Sequence, residues 1–158
     1  MKLTDLVSNE AIIADLSSSD RDSAIGELVD ALIGSGAIGA EHREKLISAV
    51  LERERKGSTG FGKGVAVPHV KFDGVEKMSA AVGISASGVE FAAMDHQPVY
   101  SIFLLLSPAD RPEEHLQAME VIFRNLSKDT FRRFLRQSST ADEVHSLLGE
   151  ADSQQLPG

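Results

Sequence analysis

The chain has 158 residues, 42% of them hydrophobic and 25% charged, and its formal net charge is −8 at pH 7. This composition predicts one soluble domain with a core of its own. The acidic balance argues against broad binding to nucleic acid or anionic membranes, because phosphate groups repel an acidic surface. No cysteine is present, which excludes disulfides and thiolate metal sites. No apolar run is long enough to span a bilayer and no signal peptide precedes the first helix, so the cytoplasm is the expected location.

The first third of the chain predicts a strand followed by two helices. The strand covers residues 11–16, and the two helices cover residues 21–33 and 40–56. Residues 17–20 supply hydroxyl and carboxylate groups that can cap the first helix, and Gly34-Ser35-Gly36 ends it. The inward face of the second helix continues to Glu54. That helix therefore carries charged side chains to the start of a glycine-rich loop.

The second half of the chain predicts strands and then helices. Strands are expected over residues 79–84, 89–91 and 98–106, and the apolar run at 99–106 is typical of a central strand buried on both faces. Ser107 to Asp110 ends that strand and supplies cap candidates for a helix that begins with Pro112.

The helix that follows Pro112 has a predicted buried stripe, and His115 lies on the same face. The apolar members of the stripe are Leu116, Met119, Ile122, Phe123 and Leu126. Two shorter helices are expected over residues 130–136 and 141–148. We predict a single domain over residues 1–150 and a flexible tail over residues 151–158.

The most informative stretch is residues 57–69, Gly-Ser-Thr-Gly-Phe-Gly-Lys-Gly-Val-Ala-Val-Pro-His. Its four glycines allow the backbone to bend tightly and to approach a ligand closely. Residues 65–67 predict a brief strand. Pro68 has no backbone donor, so pairing is expected to stop just where His69 emerges. A histidine at a strand end beside such a loop is well placed to meet an anion or a partner protein.

The five histidines divide into two groups. His42, His96 and His145 fall at polar helix positions or in a turn and are predicted to be exposed and solvated. His69 and His115 each lie at the end of an element that runs into the core. Two interpretations stay open for each: His115 as a core histidine bonded to a backbone carbonyl or as a functional group, and His69 as a surface loop residue or as a functional group.

Several kinds of chemistry can be compared for these two histidines. A zinc site would need further ligands, and nothing in the spacing specifies Glu54, Glu113 or Glu114 for that role. Acyl transfer by Ser58 lacks a nucleophile-elbow motif. The glycine loop is not a nucleotide-binding P-loop, because no Gly-Lys-Ser/Thr closes it.

Phosphoryl transfer to a histidine requires fewer specialised residues than these three kinds of site. A neutral imidazole is a good nucleophile near pH 7 when its other nitrogen is held by a carbonyl or a carboxylate. The phosphoryl oxygens need hydrogen-bond donors and positive charge, which Arg53, Ser58, Thr59 and the loop amides can supply. No metal or other cofactor is required.

The residues from Arg53 to His69 resemble the signature of enzyme IIA of the bacterial phosphoenolpyruvate-dependent phosphotransferase system, type 2. This fructose/mannitol class includes the nitrogen-regulatory enzyme IIA, which the chain resembles most. The shared positions are Arg53-Glu54, Gly57-Ser58-Thr59-Gly60, Gly62, Gly64-Val65-Ala66-Val67-Pro68-His69, Val89-Glu90-Phe91, Asp95, Gln97-Pro98-Val99, Leu105-Leu106, Pro108-Ala109 and His115-Leu116. The resemblance extends from Leu3 to about Leu148.

The resemblance implies a fold and a set of roles. The fold is α/β (α+β), a mixed β-sheet of about five strands flanked by helices on both faces. His69 would accept a phosphoryl group from the histidine-containing phosphocarrier protein, which obtains it from phosphoenolpyruvate through enzyme I. His115 would help to hold that group and Arg53 would supply charge, a choice over Arg55 that comes from the resemblance alone.

Other expectations follow from the chemistry of individual residues. Ser58 and Thr59 are expected to shape the phosphate pocket, an inference from their hydroxyl groups. Phe61, Val70 and Phe72 are candidates for a docking face, with core packing as the other interpretation. Two positions depart from the family pattern, because Lys63 replaces a common asparagine and Val70 replaces a common glycine.

Three functions remain as candidates. In the first, the chain is a regulator that binds target proteins according to its phosphorylation state, as the nitrogen type does. In the second, it is a sugar-specific enzyme IIA that passes its phosphoryl group to a IIB component. In the third, it is a binding module that is not phosphorylated. None of them requires binding to nucleic acid or insertion into a membrane.

Overall fold

One mixed β-sheet with helices on both faces forms the centre of the computed structural model, which describes residues 1–154. The helices of this part of the chain are α1 (Leu3–Leu6), α2 (Arg21–Gly34), α3 (Arg43–Lys56), α4 (Pro112–Leu126), α5 (Asp129–Gln137) and α6 (Ala141–Asp152). Its strands are β1 (Ile12–Ile13), β2 (Gly60–Gly62), β3 (Val65–Ala66), β4 (His69–Phe72), β5 (Ser79–Val89) and β6 (Val99–Pro108). The predicted fold class is confirmed. The sheet has six strands rather than about five, because residues 57–72 contribute three short strands instead of one while residues 89–91 form no strand of their own.

Strand β6 is the common partner of the sheet. It pairs antiparallel with β5 and parallel with both β3 and β4, while β1 extends the sheet beyond β5 and β2 beyond β3. Its side chains alternate between two cores: Ile102, Leu104 and Leu106 pack with the α2 and α3 side, and Phe103 and Leu105 pack with the α4, α5 and α6 side. The predicted central strand, buried on both faces, is confirmed.

The ends of several elements differ from their predicted positions. The strand predicted at 79–84 continues to Val89 as β5, so residues 89–91 form no separate strand, and Glu90 makes only an isolated bridge with Asp20. Helix α2 begins at Arg21 as predicted, with the Asp20 carboxylate accepting a hydrogen bond from the Ser23 amide. Residues 40–42 form a 3-10 turn, after which α3 begins.

Two predictions about α4 are wrong. Leu116 is 68% exposed, because the buried face of the helix runs through His115, Ala118 and Ile122, and Leu116 lies about 100° away from His115 around the axis. The residues from Ser107 to Asp110 do not cap the helix either. Its N-cap is Arg111, without a side-chain cap, and the Ser107 hydroxyl bonds to His115 instead.

The first and last helices are held together by one carboxylate. Asp152 accepts hydrogen bonds from the Leu3 amide at 2.6 Å, the Thr4 amide at 3.0 Å and the Thr4 hydroxyl at 2.7 Å. Helix α6, which contains Asp152, runs two residues past the domain boundary predicted at residue 150. Residues 155–158 of the predicted tail lie outside the described residues. Over residues 1–154, each helix is too short or too polar to cross a membrane.

Candidate functional site

The register of the sheet points His69 toward α4. In the parallel pairing of β4 with β6, His69 lies opposite Leu105 and Lys71 lies opposite Ser107. Leu105 belongs to the core on the α4 side, so His69 and Lys71 share that face, whereas Val70 and Phe72 pack toward α2 and α3.

The expectation that pairing stops at Pro68 is wrong. The Pro68 carbonyl accepts a hydrogen bond from the Leu105 amide at 2.9 Å, and β4 then continues the pairing. Proline lacks only the donor, so its carbonyl still contributes to a ladder on the accepting side. His69 therefore begins a strand instead of following one.

The two histidines singled out by the sequence meet at this place. The first turn of α4 places His115 against His69, with a distance of 5.5 Å between the ring centroids. His115 is 7% exposed, and its Nδ1 lies 2.6 Å from the Ser107 Oγ. His115 is thus a buried histidine whose partner is a side chain and not the backbone carbonyl that the core interpretation assumed.

The hydrogen bond of His69 fixes which of its nitrogens is free. Its Nδ1 lies 2.8 Å from the Val67 carbonyl oxygen, which can only accept, so Nδ1 carries the proton and Nε2 keeps its lone pair. Burial lowers the pKa of His69 below its ordinary value of 6.5, and Arg53 and Lys71 act in the same direction, against the Val67 carbonyl and Glu54. The ring is therefore neutral and nucleophilic at pH 7.

His115 is held neutral more strongly. Burial lowers the pKa of His115 to about 4, and the neighbouring His69 and Lys71 contribute to the same shift. At pH 7 its imidazole can donate or accept a hydrogen bond but supplies no positive charge. The charge at this site comes from other side chains.

Two cations line the pocket around the histidines. The pocket has a volume of about 300 Å³ and is formed by Arg53, His69, Val70, Lys71 and His115. Arg53 is fixed by a hydrogen bond of 2.9 Å from its Nη1 to the Gly57 carbonyl, whereas Arg55 is exposed and outside the pocket. Lys71 was missed by sequence reasoning. Lys71 follows His69 by two residues, and residues two apart in a strand lie on the same face, so the spacing would have placed Lys71 at the site if β4 had been predicted as a strand.

The hydroxyl residues of the glycine loop do not line the pocket, which differs from their predicted position. Thr59 is 1% exposed, and both its amide and its hydroxyl bond to the Glu54 carboxylate. The Ser58 Oγ accepts a hydrogen bond from the Gly60 amide at 3.0 Å. The bonds from Thr59 to Glu54 hold the loop to the end of α3, and the Ser58 bond lies within the loop. Glu54, which is 3% exposed, is thus the buried anchor of the loop.

The three candidate docking residues lie on different surfaces. Phe61 is 49% exposed and meets the ring of Phe123 edge to face, with 5.0 Å between the centroids. Val70 and Phe72 are half-buried against the core on the α2 and α3 side, although Val70 also reaches the pocket. Core packing thus accounts for part of the surface of these two residues.

The two departures from the family pattern have separate locations. Lys63 is exposed in the β2–β3 turn with φ 59, a left-handed conformation that asparagine adopts more readily than lysine, and it does not line the pocket. Val70 lies in extended β4, a conformation that suits a β-branched residue. Of the other histidines, His96 is exposed as predicted, whereas His42 and His145 are half-buried.

The chain is similar to known proteins of one family. Residues 5–151 match the family model described as phosphoenolpyruvate-dependent sugar phosphotransferase system, EIIA 2. The chain is 35% identical over 130 residues to the fructose-specific EIIA component of Haloferax volcanii, covering 82% of this chain and 83% of that protein. It is 33% identical over 148 residues to the nitrogen regulatory protein of Bradyrhizobium diazoefficiens, covering 94% and 95% of the two chains.

A solved structure has a similar fold. The nitrogen regulatory protein IIA-Ntr of Neisseria meningitidis superposes with a TM-score of 0.83 at 28% identity, covering 92% of this chain and 98% of that one. The resemblance stated from the sequence is therefore confirmed. The chain belongs to the type 2 EIIA family of the phosphoenolpyruvate-dependent sugar phosphotransferase system.

Proposed function

We propose that this protein is a phosphoryl carrier whose acceptor is His69 Nε2, whose donor is the histidine-containing phosphocarrier protein, and whose phosphorylation state controls the binding of regulatory targets. One observation carries the proposal. His69 is a neutral imidazole with its Nδ1 proton bonded to the Val67 carbonyl, and it lies beside two cations and a second histidine. A nucleophile and a pocket for its anionic product thus occupy the same place.

The transfer needs few changes at the acceptor. The Nε2 lone pair of His69 attacks phosphorus, and a new N–P bond forms as the N–P bond to the carrier's imidazole breaks. The Nδ1 proton of His69 stays bonded to the Val67 carbonyl, where it stabilises the ring as the phosphoryl group withdraws electrons. No metal and no proton acceptor is required at this step.

The surroundings of His69 suit the charge that arrives. A phosphoryl group carries about two negative charges near pH 7, and Arg53 and Lys71 place two positive charges at the same pocket. Phosphorylation would neutralise the positive charges of Arg53 and Lys71, and a regulatory partner would distinguish the two states by this change in charge.

Two exposed apolar residues, Leu116 of α4 and Phe61 of β2, are candidates for a docking surface. Leu116 follows His115 and is 68% exposed, and Phe61 is exposed where its ring meets Phe123. Exposed apolar side chains are typical of a protein interface. We assign docking to Phe61 and Leu116, with Val70 at the pocket edge. Phe72 packs against His42, with 5.9 Å between their ring centroids, and is the weaker candidate of the original three.

A sugar-transport role is the second candidate, in which the phosphoryl group moves on to a IIB component. The 35% identity to a fructose-specific EIIA component favours it. The regulatory role is favoured by the Gly57-Ser58-Thr59-Gly60 loop and by the match to a nitrogen regulatory protein over 95% of that protein. An unphosphorylated binding module is the third, and the open Nε2 of His69 argues against it.

The deciding experiment is phosphorylation with enzyme I, the phosphocarrier protein and phosphoenolpyruvate, followed by intact mass spectrometry. We expect an acid-labile, base-stable adduct that is lost in His69→Ala and kept in His96→Ala, a variant of an exposed histidine away from the pocket. Absence of the adduct from folded protein, with a carrier active on another enzyme IIA, would leave only the binding module. Transfer from the adduct to a fructose-type IIB component would favour transport over regulation.

A further inference from the structure

Ser107 is a buried residue that the phosphoryl-transfer chemistry described above does not use. It lies near the end of β6, has an exposed fraction of 0%, and stands opposite Lys71 in the register. Its Oγ is 2.6 Å from His115 Nδ1. Within residues 1–154, this nitrogen is the hydrogen-bond partner of the Ser107 side chain, so the protonation of one group determines the role of the other.

The proton of this hydrogen bond can belong to either group. If Nδ1 of His115 carried it, the nitrogen would donate to Oγ and the hydroxyl proton of Ser107 would be left in the interior without an acceptor. If the hydroxyl donates to an unprotonated Nδ1, both groups are satisfied by the one bond. A buried polar proton without a partner is unfavourable, so the second arrangement is the stable one.

We propose that Ser107 is a positioning residue that holds His115 as the Nε2–H tautomer, so that this N–H donates to the phosphoryl group on His69. The proposal rests on the phosphoryl-carrier function proposed above. His115 lines the pocket, and with Nδ1 occupied by Ser107, its other nitrogen is the one available to the ligand.

The two histidines then carry their protons in opposite ways. His69 is protonated on Nδ1 and offers a lone pair at Nε2, whereas His115 accepts at Nδ1 and offers a proton at Nε2. The acceptor needs a lone pair to attack phosphorus, and its neighbour needs a donor to meet the phosphoryl oxygens. The wrong tautomer of His115 would turn a lone pair toward these anionic oxygens. Because burial lowers the pKa of His115 to about 4 in the unphosphorylated protein, its ring carries one proton when the phosphoryl group arrives at pH 7, and the tautomer decides which nitrogen donates.

Nitrogen NMR of the unphosphorylated protein tests the tautomer directly. Long-range 15N–1H spectra of the histidine rings report which nitrogen carries the proton, for the native chain and for Ser107→Ala. We expect His115 of the native protein to be protonated on Nε2 and the Nδ1–H form to increase severalfold in Ser107→Ala. Ser101→Ala is the matched control, because Ser101 is also buried on β6 and lies six residues from Ser107. A native His115 protonated on Nδ1 would overturn the proposal, even if Ser107→Ala does not fold.

Phosphoryl transfer tests the donation. We expect Ser107→Ala to accept the phosphoryl group from the carrier about tenfold more slowly, the size expected for one charge-assisted hydrogen bond, and Ser101→Ala to match the native rate. Ser107→Thr restores a hydroxyl and is expected to recover part of the rate. A changed tautomer with an unchanged transfer rate would overturn the donation. A native protein that is never phosphorylated would instead refute the proposed function, and the NMR result would still decide the tautomer.

Discussion

The two histidines of the pocket are held by different kinds of partner. His69 is anchored to the Val67 carbonyl, a backbone atom two residues away in sequence, whereas His115 is anchored to the side chain of Ser107 on another element. Any residue at position 67 provides the carbonyl, but only a few residue types at position 107 provide a hydroxyl. The geometry of the acceptor is therefore built into the chain path, and the geometry of its neighbour depends on one residue identity.

The largest expected effect is on the phosphoryl adduct, and it differs between the acceptor His69 and its neighbour His115. We expect His69→Ala to abolish the phosphoryl adduct, and His115→Ala to lower the transfer rate about 100-fold while leaving the same final amount of adduct, as for the loss of one preorganised donor. Quench-flow with intact mass detection measures both. Loss of the adduct in both variants, with folding shown by circular dichroism, would mean that His115 is itself needed for the chemistry.

A smaller effect is expected from the cations, and α3 offers a matched pair. Arg53 lines the pocket and bonds to the Gly57 carbonyl, while Arg55, two residues further on, is exposed outside it. Replacing Arg53 with methionine should slow transfer about tenfold through loss of a charge-assisted contact. Arg55→Met should leave the rate unchanged. Equal losses in both variants would point to the overall charge of the region instead of a contact with the phosphoryl group.

The buried position of His115 also predicts a dependence of stability on pH. The folded chain keeps His115 neutral down to about pH 4, whereas the unfolded chain protonates a histidine near 6.5. Between these values the unfolded state binds more protons, so the contribution of His115 to the free energy of unfolding falls as the pH is lowered through this window.

Urea denaturation between pH 7 and pH 4 measures this contribution. We expect the loss of stability to be smaller in His115→Gln, which does not titrate, than in the native chain. His145→Gln is the control, because His145 is half-buried away from the pocket. Identical pH profiles for the native chain and His115→Gln would show that His115 titrates at an ordinary value.

The smallest expected effect concerns the β2–β3 turn and lies outside the pocket. Lys63 has φ 59, so Lys63→Asn should raise the free energy of unfolding by about 1 kcal/mol, because asparagine tolerates left-handed backbone. Lys45→Asn in α3 should lower it slightly, since asparagine is the weaker helix former. Transfer rates should not change in either variant. A slower transfer in Lys63→Asn would bring Lys63 into the site.

The sequence predicted the elements with strong periodicity and the residues within one continuous motif. Helices α2 and α3 follow an apolar stripe, β6 is an uninterrupted apolar run, and Arg53 and His69 belong to one long signature. These features are local, so they can be read without knowing which segments are neighbours. The fold class was predicted from the family resemblance, and the order of the elements agreed with it.

The features that were missed depend on pairing between distant segments. Strand β4 alternates polar and apolar residues over four positions only, too few to identify a strand by pattern, and its parallel pairing with β6 was not foreseen, so Lys71 was not placed beside His69. Thr59 looks like a free hydroxyl donor until Glu54 is seen to be buried under the loop. Leu116 was assigned to the core because an apolar residue beside a buried face is ambiguous at helical spacing.

The carboxylate of Asp152 brings the beginning of α1 within hydrogen-bond distance of the end of α6. The order of the elements along the chain is therefore separable from their order in space. A short flexible linker between these two helices would allow the chain to be opened elsewhere, for example in the exposed turn around Asp73 and Gly74, without moving β4 relative to β6. In such a circular permutant, His69 would lie near a new C-terminus while its neighbours in the pocket stayed where they are.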